Sequence, residues 1–162
     1  PLLTAQMGFG RDGIALVLLI FGIGAVVGNL AGGQLTDRIG ATRTLLILAL
    51  SQATFTPWFS AMPLPILGLS ALILLWSIFG WAFMAAQQVR LIALDPNNVS
   101  VLLALNAAAI YVGSAVGALI GGFVIEAHGL GALGWFASVG AVAAALVLGV
   151  SNQWNQRVAE EA

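Results

Sequence analysis

The 162 residues are 60% hydrophobic and only 7% charged, with a net charge of −1 and a mean hydropathy of +1.05. A water-soluble domain carries about 25% charged residues, so this composition excludes a soluble fold. Five basic residues cannot form a nucleic-acid surface, and the lack of cysteine excludes disulfides and thiolate metal sites.

The apolar runs are continuous and about twice the length of an alternating barrel strand, which specifies helical spans rather than a membrane β-barrel. The chain opens on Pro1-Leu2-Leu3 without an initiator Met, so it is expected to start partway through a longer protein, with Pro1–Met7 the end of an earlier span or its exit loop. A bilayer core of about 30 Å needs roughly 20 helical residues. The uncharged run from Gly13 to Leu35 satisfies this once, predicting a first helix near 13–35.

Three ionised side chains then fall within seven residues, in Gly33-x-x-x-Asp37-Arg38-x-Gly40-x-x-Arg43. Each such charge costs roughly 2.5–3.5 kcal/mol at a bilayer centre, so the cluster is expected in water or at a headgroup surface, as a tight polar hairpin between two spans. The next charge is Arg90, and the stretch between is too long for one span. Pro57, Pro63 and Pro65 divide it into helices near 44–61 and 65–90, with Pro65 suited to a first helical turn. Asp95-Pro96-Asn97-Asn98 supplies turn chemistry. A fourth helix is predicted near 100–125, a fifth near 131–151, and a polar tail over 152–162.

Five spans place Arg38, Arg43, Arg90 and Arg157 on one side and Arg11 on the other. The positive-inside rule makes the first side cytoplasmic, the tail included, with the inner membrane as location. Trp58 and Trp135 suit anchors at the outer interface and Trp154 at the inner one.

The Gly33–Arg43 pattern resembles the signature loop of the major facilitator superfamily, which joins spans two and three and, in weaker form, spans eight and nine. The lead-in Phe21-Gly-Ile-Gly24-Ala-Val-Val-Gly28-Asn29-Leu-Ala-Gly32-Gly33 resembles span eight of bacterial drug:proton antiporters and arabinose-efflux-like permeases. Asn106-Ala-Ala-Ala-Ile-Tyr111-Val-Gly113-Ser114-Ala-Val-Gly117-Ala-Leu-Ile-Gly121-Gly122 resembles span eleven of the same group. The resemblance implies an all-α half bundle comprising the end of span seven and spans eight to twelve. It further implies a secondary transporter that moves a small organic solute such as a drug or sugar, outward and against protons, by alternating access. Its partners would be the lipid bilayer and the N-terminal half of the same protein. Two departures stand out: Arg43 is the single base at the motif's far end, and Ala118 occupies a place where the antiporters' span-five motif has Gly-Pro.

In that family the loop acts as a conformational latch, a role that would fall here on Gly33, Asp37, Arg38, Gly40 and Arg43. The rival reading of these residues is a solvated turn that fixes orientation. Gly24, Gly28 and Gly32 recur every four residues, as do Gly113, Gly117 and Gly121, giving two smooth helix faces that serve either plain close packing or the moving surfaces of alternating access.

Polar groups inside spans are Gln52, Ser77, Gln87, Gln88, Asn106 and Ser114, beside the aromatic Trp81 and Tyr111. The spans that line the family's cavity favour Trp81, Gln87, Tyr111 and Ser114 as solute contacts and demote Gln52; the rival reading is an interhelical hydrogen bond for the amides and plain lipid or core packing for the aromatics. Glu126 and His128 read as surface residues, and no span holds an acid or His near mid-depth, so a proton-coupling group is expected outside this chain. Arg90 reads as a snorkelling interfacial arginine. No cofactor, metal site or catalytic constellation is expected. The alternative outside transport is a small oligomeric membrane scaffold whose glycine faces join copies of the chain.

Overall fold

The computed structural model describes residues 10–61 and 63–161; the expectation for Pro1–Met7 lies outside them. The described chain is all helical. Helix α1 spans Arg11–Ile39, α2 Ala41–Phe55 with a 3-10 continuation Thr56–Ala61, α3 Ile66–Leu94, α4 Val99–His128, and α5 Leu133–Glu161 after a short 3-10 turn. The helices overrun the uncharged stretches: α1 carries Asp37 and Arg38 in its last turns, and α5 continues through the polar tail. Backbone hydrogen bonding, unlike insertion cost, does not stop at the first charge.

Among the described residues four helices are long and apolar enough to cross a membrane by themselves. Helix α2 has 15 residues, about 22 Å, and crosses only with its 3-10 continuation, which adds about 12 Å. The cause of the change is Pro57, which has no N–H to offer the Ala53 carbonyl one turn earlier. That acceptor is taken instead by the Ser138 hydroxyl of α5 at 2.6 Å. Nearby, the Ser60 hydroxyl accepts from the Gly134 N–H at 3.1 Å, covering a donor that the start of α5 leaves open. Gly134 is itself pressed on the Thr56 carbonyl, where a Cβ has no room.

The tightest seam runs between α1 and α3. Gly24, Gly28, Gly32 and Thr36 form the buried ridge of α1. A Cβ on Gly28 or Gly32 would collide with the backbone of Ile78 or Ala82, and one on Gly24 would lie 2.7 Å from the Ser77 Cβ. This approach lets Ser77, 1% exposed, donate to the Phe21 carbonyl at 2.6 Å. Helix α2 is tied to α3 by the Gln52 amide, which donates to the Trp76 carbonyl at 2.9 Å.

Two apolar clusters close the bundle. Val17, Leu69 and Ile73 with Phe59 lie towards one end, and Leu45, Ala86 and Leu148 towards the end that carries Gly40. Helix α4 stands apart: only 6% of its most apolar window is buried, and Val124 is its one buried residue. Exposed leucines, valines and phenylalanines over the rest of the surface are what a lipid-facing protein presents.

Candidate functional site

The polar hairpin is a single residue. Helix α1 ends at Ile39, α2 begins at Ala41, and Gly40 alone leaves helical geometry, at φ 85° and ψ 155°. That region is essentially restricted to glycine. Two threonines placed four residues on either side pin the corner. The Gly40 N–H donates to the Thr36 carbonyl at 2.9 Å, and the Gly40 carbonyl accepts from the Thr44 N–H at 3.1 Å and the Thr44 hydroxyl at 2.9 Å. The Thr36 hydroxyl is satisfied one turn back by the Gly32 carbonyl at 2.7 Å. Both threonines are buried, at 4% and 0% exposure. The sequence reading passed over them; their spacing about Gly40 was the available signal.

The corner fixes where the charges point. Asp37, Arg38 and Arg43 are all exposed, and none of the three side chains is engaged in a hydrogen bond among the described residues. Asn29, Gly33 and Asp37, four residues apart in succession, form a ridge beside the buried glycine ridge of α1. Asn29 is exposed and spends its amide on the Ala25 carbonyl of its own helix at 3.2 Å, and a Cβ on Gly33 would meet nothing within 4 Å. The motif's first glycine and its carboxylate therefore share an open face.

The two glycine stripes, alike in sequence, differ in surroundings. Gly24, Gly28 and Gly32 are consumed in the α1–α3 seam, whereas Cβ atoms on Gly113 and Gly117 would meet nothing within 4 Å and one on Gly121 only the Leu133 side chain at 3.7 Å.

Of the residues expected to contact solute, Trp81 is 38% exposed and sets its ring edge-on to Phe21 at 6.3 Å between centroids. Gln87 is half-buried. Six positions separate these two on α3, about 120° around the helix, so they do not share a face. Tyr111 is 77% exposed on α4, and Ser114, one turn on, gives its hydroxyl to the Ile110 carbonyl at 2.8 Å. Gln52 and Ser77 are spent on interhelical bonds. Among the described residues no group of three His, Cys, Asp or Glu side chains is placed to hold a metal ion.

Comparison with known proteins gives a consistent result. The sequence model of the Major Facilitator Superfamily matches residues 1–160. YbcL of Bacillus subtilis (strain 168), described as an uncharacterized MFS-type transporter, is 31% identical over 144 residues, 89% of this chain and 37% of that protein. YtbD of the same organism, described in the same words, is 32% identical over 171 residues, 100% of this chain and 42% of that protein. The chain thus spans about two fifths of the length of these curated relatives. No solved structure matches.

Proposed function

The chain belongs to the Major Facilitator Superfamily, and from that membership we propose that it is the C-terminal half of a secondary transporter that exports a small organic solute in exchange for protons. As a multi-pass membrane protein of a transporter family it binds and moves its solute rather than transforming it. In this architecture two halves rock about a shared site near the midplane, and each half contributes one wall.

The observation that carries the reading is the open face of α1. Gly33 leaves room that nothing within the described residues fills, and Asp37 projects from the same ridge without a partner there. A glycine and a carboxylate so placed suit the close approach of another helix end, whose exposed N–H groups and dipole favour an anion. On this proposal Asp37 and Arg38 latch the two halves on the cytoplasmic side while the site faces outward, and release them as it turns inward. The unfilled Gly113–Gly121 face of α4 belongs to the same moving boundary. Trp81, Tyr111 and Ser114 lie on helices that border the cavity, with Gln87 turned from Trp81.

Everted vesicles from cells expressing the whole reading frame provide the test, with a panel of amphipathic cations and sugars as solutes. Proton-gradient-driven accumulation of one class is expected, and its loss in D37N without loss of membrane-inserted protein. Residues 1–162 expressed alone are expected to insert but not transport. Gradient-driven uptake by that fragment alone, or full activity in D37N, overturns the reading.

A further inference from the structure

Arg90 is the one charge in the body of α3, and the structure shows which way it turns. Its Nη2 donates to the Ser151 hydroxyl of α5 at 2.8 Å. It therefore turns towards α5, one turn beyond the buried Ala86–Leu148 contact, and away from the α1–α3 seam made by Ser77, Ile78 and Ala82. Ser151 also borders an open apolar strip along α5 made by Leu146, Val147, Val150 and Trp154. These four residues are 66–70% exposed.

A guanidinium has five N–H donors, and the bond to neutral Ser151 uses one. The nearest carboxylate along the chain, Asp95, is occupied elsewhere, accepting from the Asn97 N–H at 3.0 Å and the Asn98 amide at 2.7 Å. Among the described residues Arg90 has no anionic hydrogen-bond partner. The sequence puts it near the headgroups: Arg90 sits one turn before the end of α3, and Ser151 opens the polar stretch Ser151-Asn152-Gln153 that follows the apolar run of α5. A cation, a hydroxyl and an indole at the interface, continued inward by a lipid-exposed apolar strip, match a phospholipid from its phosphate to its acyl chain.

We propose that Arg90 and Ser151, flanked by Trp154, seat the phosphate of an anionic phospholipid, with one acyl chain lying along Leu146, Val147 and Val150. A zwitterionic headgroup would carry its own cation into the site; an anionic one leaves a net charge for Arg90 to neutralise. The site lies where α3 meets α5, at the edge of the exposed strip of α5, and does not rest on the transport reading.

The test uses the protein from its whole reading frame in nanodiscs of phosphatidylcholine containing phosphatidylglycerol. Acyl chains are brominated on one lipid or the other, and Trp154 quenching is read as the difference between the protein and W154F. Phosphatidylglycerol is expected to be enriched about fivefold over its mole fraction, the scale for one basic residue at an anionic surface. R90Q should abolish the enrichment and R157Q should leave it, and inorganic phosphate should not displace the lipid. Equal quenching by both lipids in the unmutated protein overturns the proposal even if R90Q fails to fold. So do enrichment retained in R90Q, equal loss in R157Q, which would indicate a diffuse field, and displacement by inorganic phosphate, which would indicate a free-anion site.

Discussion

The Ser138 hydroxyl lies 2.6 Å from the Ala53 carbonyl, the one acceptor in α2 that Pro57 deprives of its helical donor. A side chain 85 residues away thus completes the backbone of the second span. In lipid no water can stand in for it. S138A should destabilise the half bundle by about 0.6 kcal/mol, rising towards 1.7 kcal/mol if the carbonyl stays dry. P57A returns an N–H to that acceptor, so S138A should cost less in the P57A background. A double-mutant cycle of thermal stability in detergent measures the coupling; additive effects would mean the two residues act separately.

The glycine stripes make opposite predictions. G28L or G32L drives a side chain into the α3 backbone, and overpacking of this kind costs about 1–3 kcal/mol or prevents assembly. G113L and G117L enter open space and should leave the stability of residues 1–162 within about 0.5 kcal/mol of the parent. If α4 borders the other half, as proposed, the same α4 substitutions should impair transport by the protein from its whole reading frame. Melting curves of the fragment beside flux through the whole protein separate the two stripes.

That contrast marks how far the sequence could be read. Span number follows from where charges fall, because the cost of burying an Asp or Arg depends on the residue alone. The N–H lost at Pro57 is local and visible in the sequence, although the helix expected near 44–61 runs through it. What replaces that donor is not local, and nothing near Ala53 points to Ser138. The two stripes share one spacing and part only when α3 covers one of them. The reach of α1 to Ile39 was missed because charge marks the membrane edge rather than the helix end. At the candidate site, Gly33, Asp37 and Gly40 were legible as a pattern, while the threonine pair that orients them was not. Trp81 and Gln87 were grouped because they share a span, and helical phase separates them.

The turn between α3 and α4 should depend on acidity in one direction. The Asn98 side chain, followed by the Asn97 backbone N–H, holds the Asp95 carboxyl below its ordinary 3.8, with slight desolvation opposing and the Asn98 backbone N–H adding a smaller pull downward. A carboxylate lowered in the folded state contributes stability above its unfolded value and loses it as pH falls through the folded one. The turn is therefore expected to be unchanged from neutral pH to about 4 and to loosen only below that. Hydrogen exchange of the 95–98 segment checks this. D95A should raise exchange there at neutral pH, while D95N, which keeps an acceptor for the Asn97 N–H, should raise it less.

The two glycines of the motif should separate by substitution to alanine. Gly40 occupies φ 85° and ψ 155°, so G40A is strained although a Cβ there would meet nothing within 4 Å. A cost of about 1–3 kcal/mol is expected, with misalignment of Thr36 and Thr44 across the corner. Gly33 is helical and open, so G33A should leave the fragment as stable as before or slightly more so, because alanine is the better helix former. If Gly33 is there to admit a helix end from the other half, G33L should abolish transport in the complete protein at unchanged fragment stability. G40A should lower both together. Equal behaviour of the two positions in the fragment would show that the corner carries no backbone constraint, and full transport in G33L would remove the reason for placing a partner on that face.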